Sequence, residues 1–540
     1  MNMNRGKDSG CMKVTSWTRL LAMILGLCGA SAARPGNAQE VQPAAHATIA
    51  DQGPSWQDYQ DLARRLEAAE GHIESLSREQ AAMRRLPAVD DDSVPAQEAS
   101  YGLAREAGTS GLLEAAAPSA APAAAAPSAG YPKVRLSGFF HLDSAAFGQD
   151  TVNLQTLGDI QDGVGFRRAR LQALGSVAEF TNYSVEFDFA TAGRPSFMDV
   201  WGEQTNLPYL NALRIGHFRA PFSMDALTSV KQLEFLERSL PFQAFVPFRR
   251  TGMMAYDASE DQNTQWAYGI FASGGFNDAP LGDSRYATDI GDVRGLAFST
   301  RASHLLYYDE PADGRYLLHV GGSYDYTRIR ESNLPSGYYQ ARVIPEVFVG
   351  DPAGGGLTAV GTPFFADTGR IQAKDFNLFG VEVAGQYGPA HFQAEYMATS
   401  VNQDVGSTLF YDGAYVQAGY FLTGEHRTYN RTVGAFDKVV PYSEFFALGN
   451  QGVCGWGAWE LVARWSYVNL NDPAANATVI PMLTPPSPNP GRLHDTTLGV
   501  NWFWNPNTQV QLNWIHCFLD NAALGDSDCD IIAARFQLAF

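Results

Sequence analysis

Lysine is nearly missing from this chain: Lys7, Lys13, Lys133, Lys231, Lys374 and Lys438 are all that 540 residues contain. Charged residues of every kind make up only 18%, and the formal net charge is −19. A nucleic-acid partner needs a basic face, so that class is excluded. No apolar run reaches the ~20 residues a membrane-spanning helix requires. Insertion into a bilayer would therefore have to be as a closed barrel, which satisfies every backbone group between strands. Catalytic signatures are missing too. There is no H-E-x-x-H, G-x-S-x-G, P-loop or C-x-x-C, and the ten histidines lack metal-ligand spacing. Neither an enzyme, a metal site nor a cofactor is expected. Of five cysteines, Cys11 and Cys28 precede or lie in the N-terminal apolar run, leaving Cys454, Cys517 and Cys529. Cys517 and Cys529 flank one loop, and both a disulfide between them and free thiols fit the pattern.

What is present falls into segments. Arg5, Lys7, Lys13 and Arg19 precede the apolar run Leu20–Ala33, and small residues come after it, as in a cleavable export signal over residues 1–38. After a flexible stretch, 39–55, the segment 56–86 carries a heptad: Tyr59, Leu62, Leu66, Ala69, Ile73, Leu76, Gln80 and Met83. That spacing predicts a short helix with a coiled-coil seam, marginal alone and supported by self-association in the periplasm. An Ala/Pro-rich linker, 87–131, cannot bury a core and tethers this helix to the strand-rich remainder of the chain.

From residue 132 to 540 the chain reads as strand, turn, strand, with 52 Gly and 12% aromatics in the whole sequence. Leu498, Val500, Trp502 and Trp504 alternate with polar residues, Asn505-Pro506-Asn507 turns the chain, and Val510, Leu512 and Trp514 return. A second hairpin turns at Gly388-Pro389, with Val381 and Val383 on one face and Glu382 and Gln386 on the other. A soluble sandwich shows the same alternation. The bunching of Trp and Tyr at strand ends, the alternation of short turns with long loops, and a final strand ending on an aromatic favour the membrane barrel. In that strand Phe536, Leu538 and Phe540 share one face, the form of signal read by the barrel-assembly machinery. The expected fold is thus all-β: a transmembrane antiparallel β-barrel in outer-membrane lipid. At roughly 25 residues per strand and connection it would have sixteen strands.

The segments FRRARL (Phe166–Leu171), LRIGHFRAPFSMDALTS (Leu213–Ser229), FLERSLP (Phe235–Pro241) and FRRTGMMAYD (Phe248–Asp257) resemble the phosphate-selective porin O and P family. So do GVEVAGQYGPAHFQAEYM (Gly380–Met397), YVQAGYFLTGEHRTY (Tyr415–Tyr429), GAWELVARWSYVNLND (Gly457–Asp472), TLGVNWFWNPNTQVQLNW (Thr497–Trp514) and ARFQLAF (Ala534–Phe540). The resemblance implies a sixteen-stranded homotrimeric barrel of the bacterial outer membrane whose pore prefers small anions such as phosphate. It also makes the insertion between Phe218 and Gly252 similar to a constriction loop, with Lys231, Arg238, Arg249 and Arg250 beside Glu234 and Glu237. In that family lysines near the constriction contribute to phosphate selectivity, and this barrel has only four lysines in all, which keeps open a broader anion or general-solute pore. A structural barrel tethering the envelope through the helix is a further alternative.

Strand parity picks the residues that would meet a permeating anion. Leu213 and Ile215 face lipid, so Arg214 faces the lumen; likewise Arg464 and Arg535 point inward beside Glu460 and Gln537. In FRRARL, Arg168 and Arg170 share the lumenal parity, and Arg167 is expected outward or at a rim. With Arg219, Lys231, Arg249 and Arg250 these form the candidate anion path. Planar guanidinium suits phosphate because its fork bonds two oxygens at once. The plainer possibility is that they pair with lumenal acids such as Glu186, Asp188, Glu382, Glu395 and Glu460 and hold a polar wall.

Overall fold

Alternation of one apolar and one polar face along nearly every strand gives a barrel its two surfaces, and the computed structural model closes one. It describes residues 130–190, 195–273, 295–329, 338–349, 361–446, 455–478, 489–521 and 525–540. The export signal, the coiled-coil segment and nearly all of the linker lie outside the described residues, as does Cys454.

Sixteen long strands among the described residues run antiparallel to their neighbours. They are β1 Lys133–Gln149, β2 Gly163–Ala178, β3 Thr181–Asp188, β4 Ser196–Leu207, β5 Asn211–Arg219, β6 Arg249–Ala258, β7 Thr264–Ser273 and β8 Gly295–Tyr308. The second half comprises β9 Tyr316–Arg328, β10 Arg370–Tyr387, β11 Ala390–Gln403, β12 Thr408–Phe421, β13 Ala458–Asn469, β14 Arg492–Asn505, β15 Thr508–Asp520 and β16 Ser527–Ala539. Each pairs with the next, and β1 pairs with both β2 and β16, opposing Phe139 to Arg170 on one side and Ala539 on the other. Among the described strands of the barrel no edge is left for a lipid environment to leave unsatisfied.

Phe540 lies at that seam. Its N–H donates to the Gly138 carbonyl and Gly138 N–H donates back, each at 2.9 Å. The ring of Phe540 is 65% exposed on the outer surface, and a Cβ on Gly138 would come within 2.6 Å of it. On β16, Ile532 is 59% exposed while Arg535 is 1% exposed, which fixes the lipid and lumen faces. Aromatics cluster at one rim, where Trp459 stacks on Trp502 at 5.0 Å and Phe445 packs edge-on to Trp502 at 4.6 Å. Cys517 and Cys529 oppose each other in register on β15 and β16, both buried and both free thiols.

The lumen is not an empty polar tube. The β5–β6 connection, 220–248, folds inside and is almost wholly buried, carrying the short helices α1 (Met224–Leu227) and α2 (Leu240–Phe245). A second inward segment, around 338–349 and 361–369, pairs Arg342–Val343 with Ala366–Asp367. Both pack against the inward faces of the strands toward the long-loop end, where the polar lumen expected from alternation gives way to an apolar one. There Phe376, Leu378, Met397, Val401, Tyr411 and Ile515 join Phe242, Phe245, Val343 and Val347 in one buried cluster. Burying such side chains is worth ~1.5–3 kcal/mol each and holds the loops inside without a covalent link. From the short-turn end, the connection after β12 carries a small hairpin (Arg427–Asn430 with Ala435–Val439) that bonds upward to the constriction loop through Arg427 and Gln232.

Gly138→Val should push Phe540 out of the seam and lower the fraction of barrel that runs as the compact, unheated form on gels. Deleting Phe540 should do the same, and wild-type assembly of both variants would contradict this account of closure.

Candidate functional site: the arginine-lined constriction

At Arg167 the β1–β2 ladder is interrupted: His141 opposes Arg168, Leu142 opposes Phe166, and Arg167 is the extra residue. This β-bulge corrects the expectation for FRRARL. A bulge breaks the two-residue period, so the neighbouring side chains Arg167 and Arg168 both turn inward. Both reach Glu237 of the constriction loop, Arg167 Nε donating at 2.9 Å and Arg168 Nη2 at 2.8 Å. Arg535 joins them from β16, donating to Glu237 at 3.2 Å and bidentately to Asp143 at 2.7 and 2.6 Å. Three guanidiniums thus share two carboxylates, and the cluster holds an excess of one positive charge. Burial would raise the Glu237 carboxyl, but Arg167, Arg168 and Arg535 outweigh it and hold it well below the usual carboxylate range.

The other predicted arginines are lumenal and each meets a fixed partner. Arg170 donates to Asp188 at 2.8 Å, Arg249 to Asp199 at 2.8 Å, and Arg250 to Asp325 at 3.0 Å. Arg214 lies 2.7 Å from Glu203 and 4.0 Å over the Trp201 ring. Arg219 donates to the carbonyls of Ala226, Leu227 and Thr228 at 3.0–3.2 Å, closing the C-terminal end of α1, where cations are favoured. Arg464 donates to Glu346 of the second inward segment at 2.7 Å and to the Glu237 carbonyl at 2.9 Å. Lys231 is half-buried in the constriction loop, with its carbonyl accepting from Gln537 at 3.0 Å. Phe536, Leu538 and Phe540 stand on the opposite, outer face of β16.

The structure therefore brings Arg167, Arg168, Arg464 and Arg535 together around the constriction loop. Arg170, Arg214, Arg219, Arg249 and Arg250 form a second group along β2, β5 and β6. Pairing with acids, one of the two possibilities the sequence left open, is what the geometry shows for most of them. Several functional groups escaped the sequence reading. Arg301 on β8 bonds Glu382 at 2.9 Å, and the alternation Ala297, Ser299, Arg301, Ser303 could have flagged it. Arg427 of the small hairpin pairs with Glu234 of the β5–β6 connection, and no local pattern announces that. A small cavity is lined by Asp225, Glu234, Glu237, Gln393, Gln417 and Arg427 among others.

A model of the family described as phosphate-selective porin O and P matches residues 134–540. The chain belongs to that family. Porin O of Pseudomonas aeruginosa is similar, 24% identical over 400 residues that cover 71% of this chain and 83% of the relative. A protein of Caulobacter vibrioides described as uncharacterized is 26% identical over 313 residues, 57% of this chain and 56% of the relative. Among solved structures, an anion-selective porin from Comamonas acidovorans aligns with a TM-score of 0.45 at 11% identity, covering 76% of this chain and 99% of that one. OprB of Pseudomonas putida aligns at 0.44 with 8% identity, covering 75% and 94%. By its family this porin is an outer-membrane channel protein.

Glu237→Gln should remove the carboxylate that three arginines share. The expected cost is roughly 3–5 kcal/mol of barrel stability in urea unfolding, because buried guanidiniums lose their partner. The pH response has the same origin. A carboxyl depressed in the folded state contributes stability that is present above its ordinary pKa of about 4.3 and lost as pH falls through the lower folded value. Stability owed to Glu237 should therefore hold from neutral pH to about 5 and decline only in stronger acid.

Proposed function

We propose that this porin forms a water-filled diffusion channel that prefers anions, with phosphate among them, and that its preference is set by arginine. The observation that carries the reading is the bulge at Arg167, which puts three guanidiniums on two carboxylates at the constriction. Fixed positive charge at a narrow place replaces part of an anion's hydration without trapping it. Guanidinium groups held by paired acids do this at constant geometry, which flexible lysines would not. Arg167, Arg168, Arg170, Arg214, Arg219, Lys231, Arg249, Arg250, Arg464 and Arg535 are proposed as the anion path. Replacing Arg168 and Arg214 by Gln should lower the chloride-to-potassium permeability ratio roughly two- to fivefold, equivalent to about 0.4–1 kcal/mol. Reversal potentials in planar bilayers measure this, and unchanged potentials contradict the assignment. A protein that never opens ion-conducting steps would instead serve as an envelope-tethering barrel.

We further propose a trimer supported from the periplasm by the heptad segment 56–86. A chain lacking residues 39–130 should dissociate at a lower temperature on seminative gels. Equal dissociation temperatures would contradict this role.

A further inference from the structure

His391 sits where the wall, the constriction loop and the small hairpin meet. It is the second residue of β11, at the short-turn end of the barrel, and only 4% exposed. Its Nε2 is 2.8 Å from Glu460 Oε1 on β13, and its Nδ1 is 3.4 Å from Glu234 Oε1 on the constriction loop. Arg427 of the hairpin bonds the same Glu234 oxygen and donates to the Gln232 carbonyl at 2.7 Å. Loop and hairpin are thereby joined to each other. Asn501 on β14 donates to Glu460 at 2.7 Å and to the Glu234 carbonyl at 2.8 Å. Against the other sides of the ring stand uncharged groups: Gln386 opposite on β10, Gly419 opposite on β12, and the rings of Phe421 and Phe436 at 5.6 and 6.2 Å. Asp437 of the hairpin acts on Arg427 at longer range and is offset by Lys231 and Lys438. Gly419 is what admits the ring, because a Cβ there would come within 2.3 Å of it.

A neutral imidazole has one N–H and one bare lone pair, and neither arrangement suits this site. With the proton on Nε2, the Nδ1 lone pair faces the Glu234 carboxylate. With the proton on Nδ1, the lone pair faces Glu460 at 2.8 Å instead. Only the imidazolium donates toward both carboxylates. The charge count agrees: Glu234 and Glu460 together face one guanidinium, Arg427, so a neutral ring leaves one buried carboxylate uncompensated. An imidazolium balances the four groups. We infer that His391 is a positioning residue whose imidazolium latches the joined loop and hairpin to the wall, holding the constriction in one position. The inference rests on the diffusion-channel reading and adds a regulation of the same constriction. When the ring is neutral, a lone pair replaces one of its two donors and the base of the hairpin is freed from the wall. The hairpin tip stays anchored on β8, where Arg301 donates to the carbonyls of Val433 and Gly434 at 2.9 and 2.7 Å. Movement at the base with the tip fixed would displace the constriction loop through Arg427 and Glu234.

Single-channel recording of the purified full chain in planar bilayers, in potassium chloride at about pH 5.5 and about pH 8, tests this across the range in which histidine ordinarily changes charge. The wild type should hold one steady open level in acid and leave it for other levels at the higher pH. Loss of one charge-assisted hydrogen bond should raise the ratio of time away from the main level to time in it on the order of tenfold. His391→Gln, which cannot become charged, should show the excursions at both pH values. Gly419→Ala keeps every ionisable group but displaces the ring, and it should behave in the same way. It carries the test alone if His391→Gln does not give a heat-modifiable barrel. Wild-type channels with the same excursions at both pH values would overturn the inference while leaving the channel intact. So would either variant if it kept the wild-type pH response. Absence of conducting steps at both pH values would overturn the channel reading and this inference with it.

Discussion

Three guanidiniums converging on Glu237 organise the interior of this barrel. The carboxylate belongs to the inward-folded β5–β6 connection, whereas its partners come from β2 and from β16, on either side of β1. One ion cluster therefore ties the constriction loop to the seam where the chain closes on itself. Charges taken out of water cost several kcal/mol each unless well paired, so the loop cannot leave the wall without exposing or orphaning them. Asp143 supplies the second carboxylate, and Arg464 extends the network to the backbone of Glu237 and to Glu346. Both inward segments are consequently indexed to the same few side chains.

Electrostatics sets position, but apolar packing supplies much of the holding force. Toward the long-loop end, strands β10–β16 turn aromatic and aliphatic side chains inward as well as outward, and α2 with the segment around Val343 and Val347 fills that space. Such a lumen is part core and part channel. The polar half carries the charges proposed to select, and the apolar half fixes the inward segments.

Much of this was legible in the residues. Parity alone placed Arg214, Arg464 and Arg535 inward, because a two-residue period carries side-chain direction along any regular strand. It failed at Arg167, where a single unpaired residue resets the period, and nothing in FRRARL announces a bulge. The apolar upper lumen was hidden for a related reason. In Trp514–Leu519, residues of both parities include large apolar side chains, so alternation there says little about which face meets lipid. The partners of the arginines were the least legible of all. Glu237 lies about seventy positions from Arg168 and nearly three hundred from Arg535, and only the closed fold brings them within bonding distance.

The central claim is that three guanidiniums held on Glu237 and Asp143 place fixed positive charge at the constriction. Crystals of the porin soaked in bromide, with anomalous scattering recorded, test it most directly. Bromide should concentrate in the lumen beside Arg167, Arg168 and Arg535. Bromide spread evenly along the lumen, or missing from that cluster, would contradict the account.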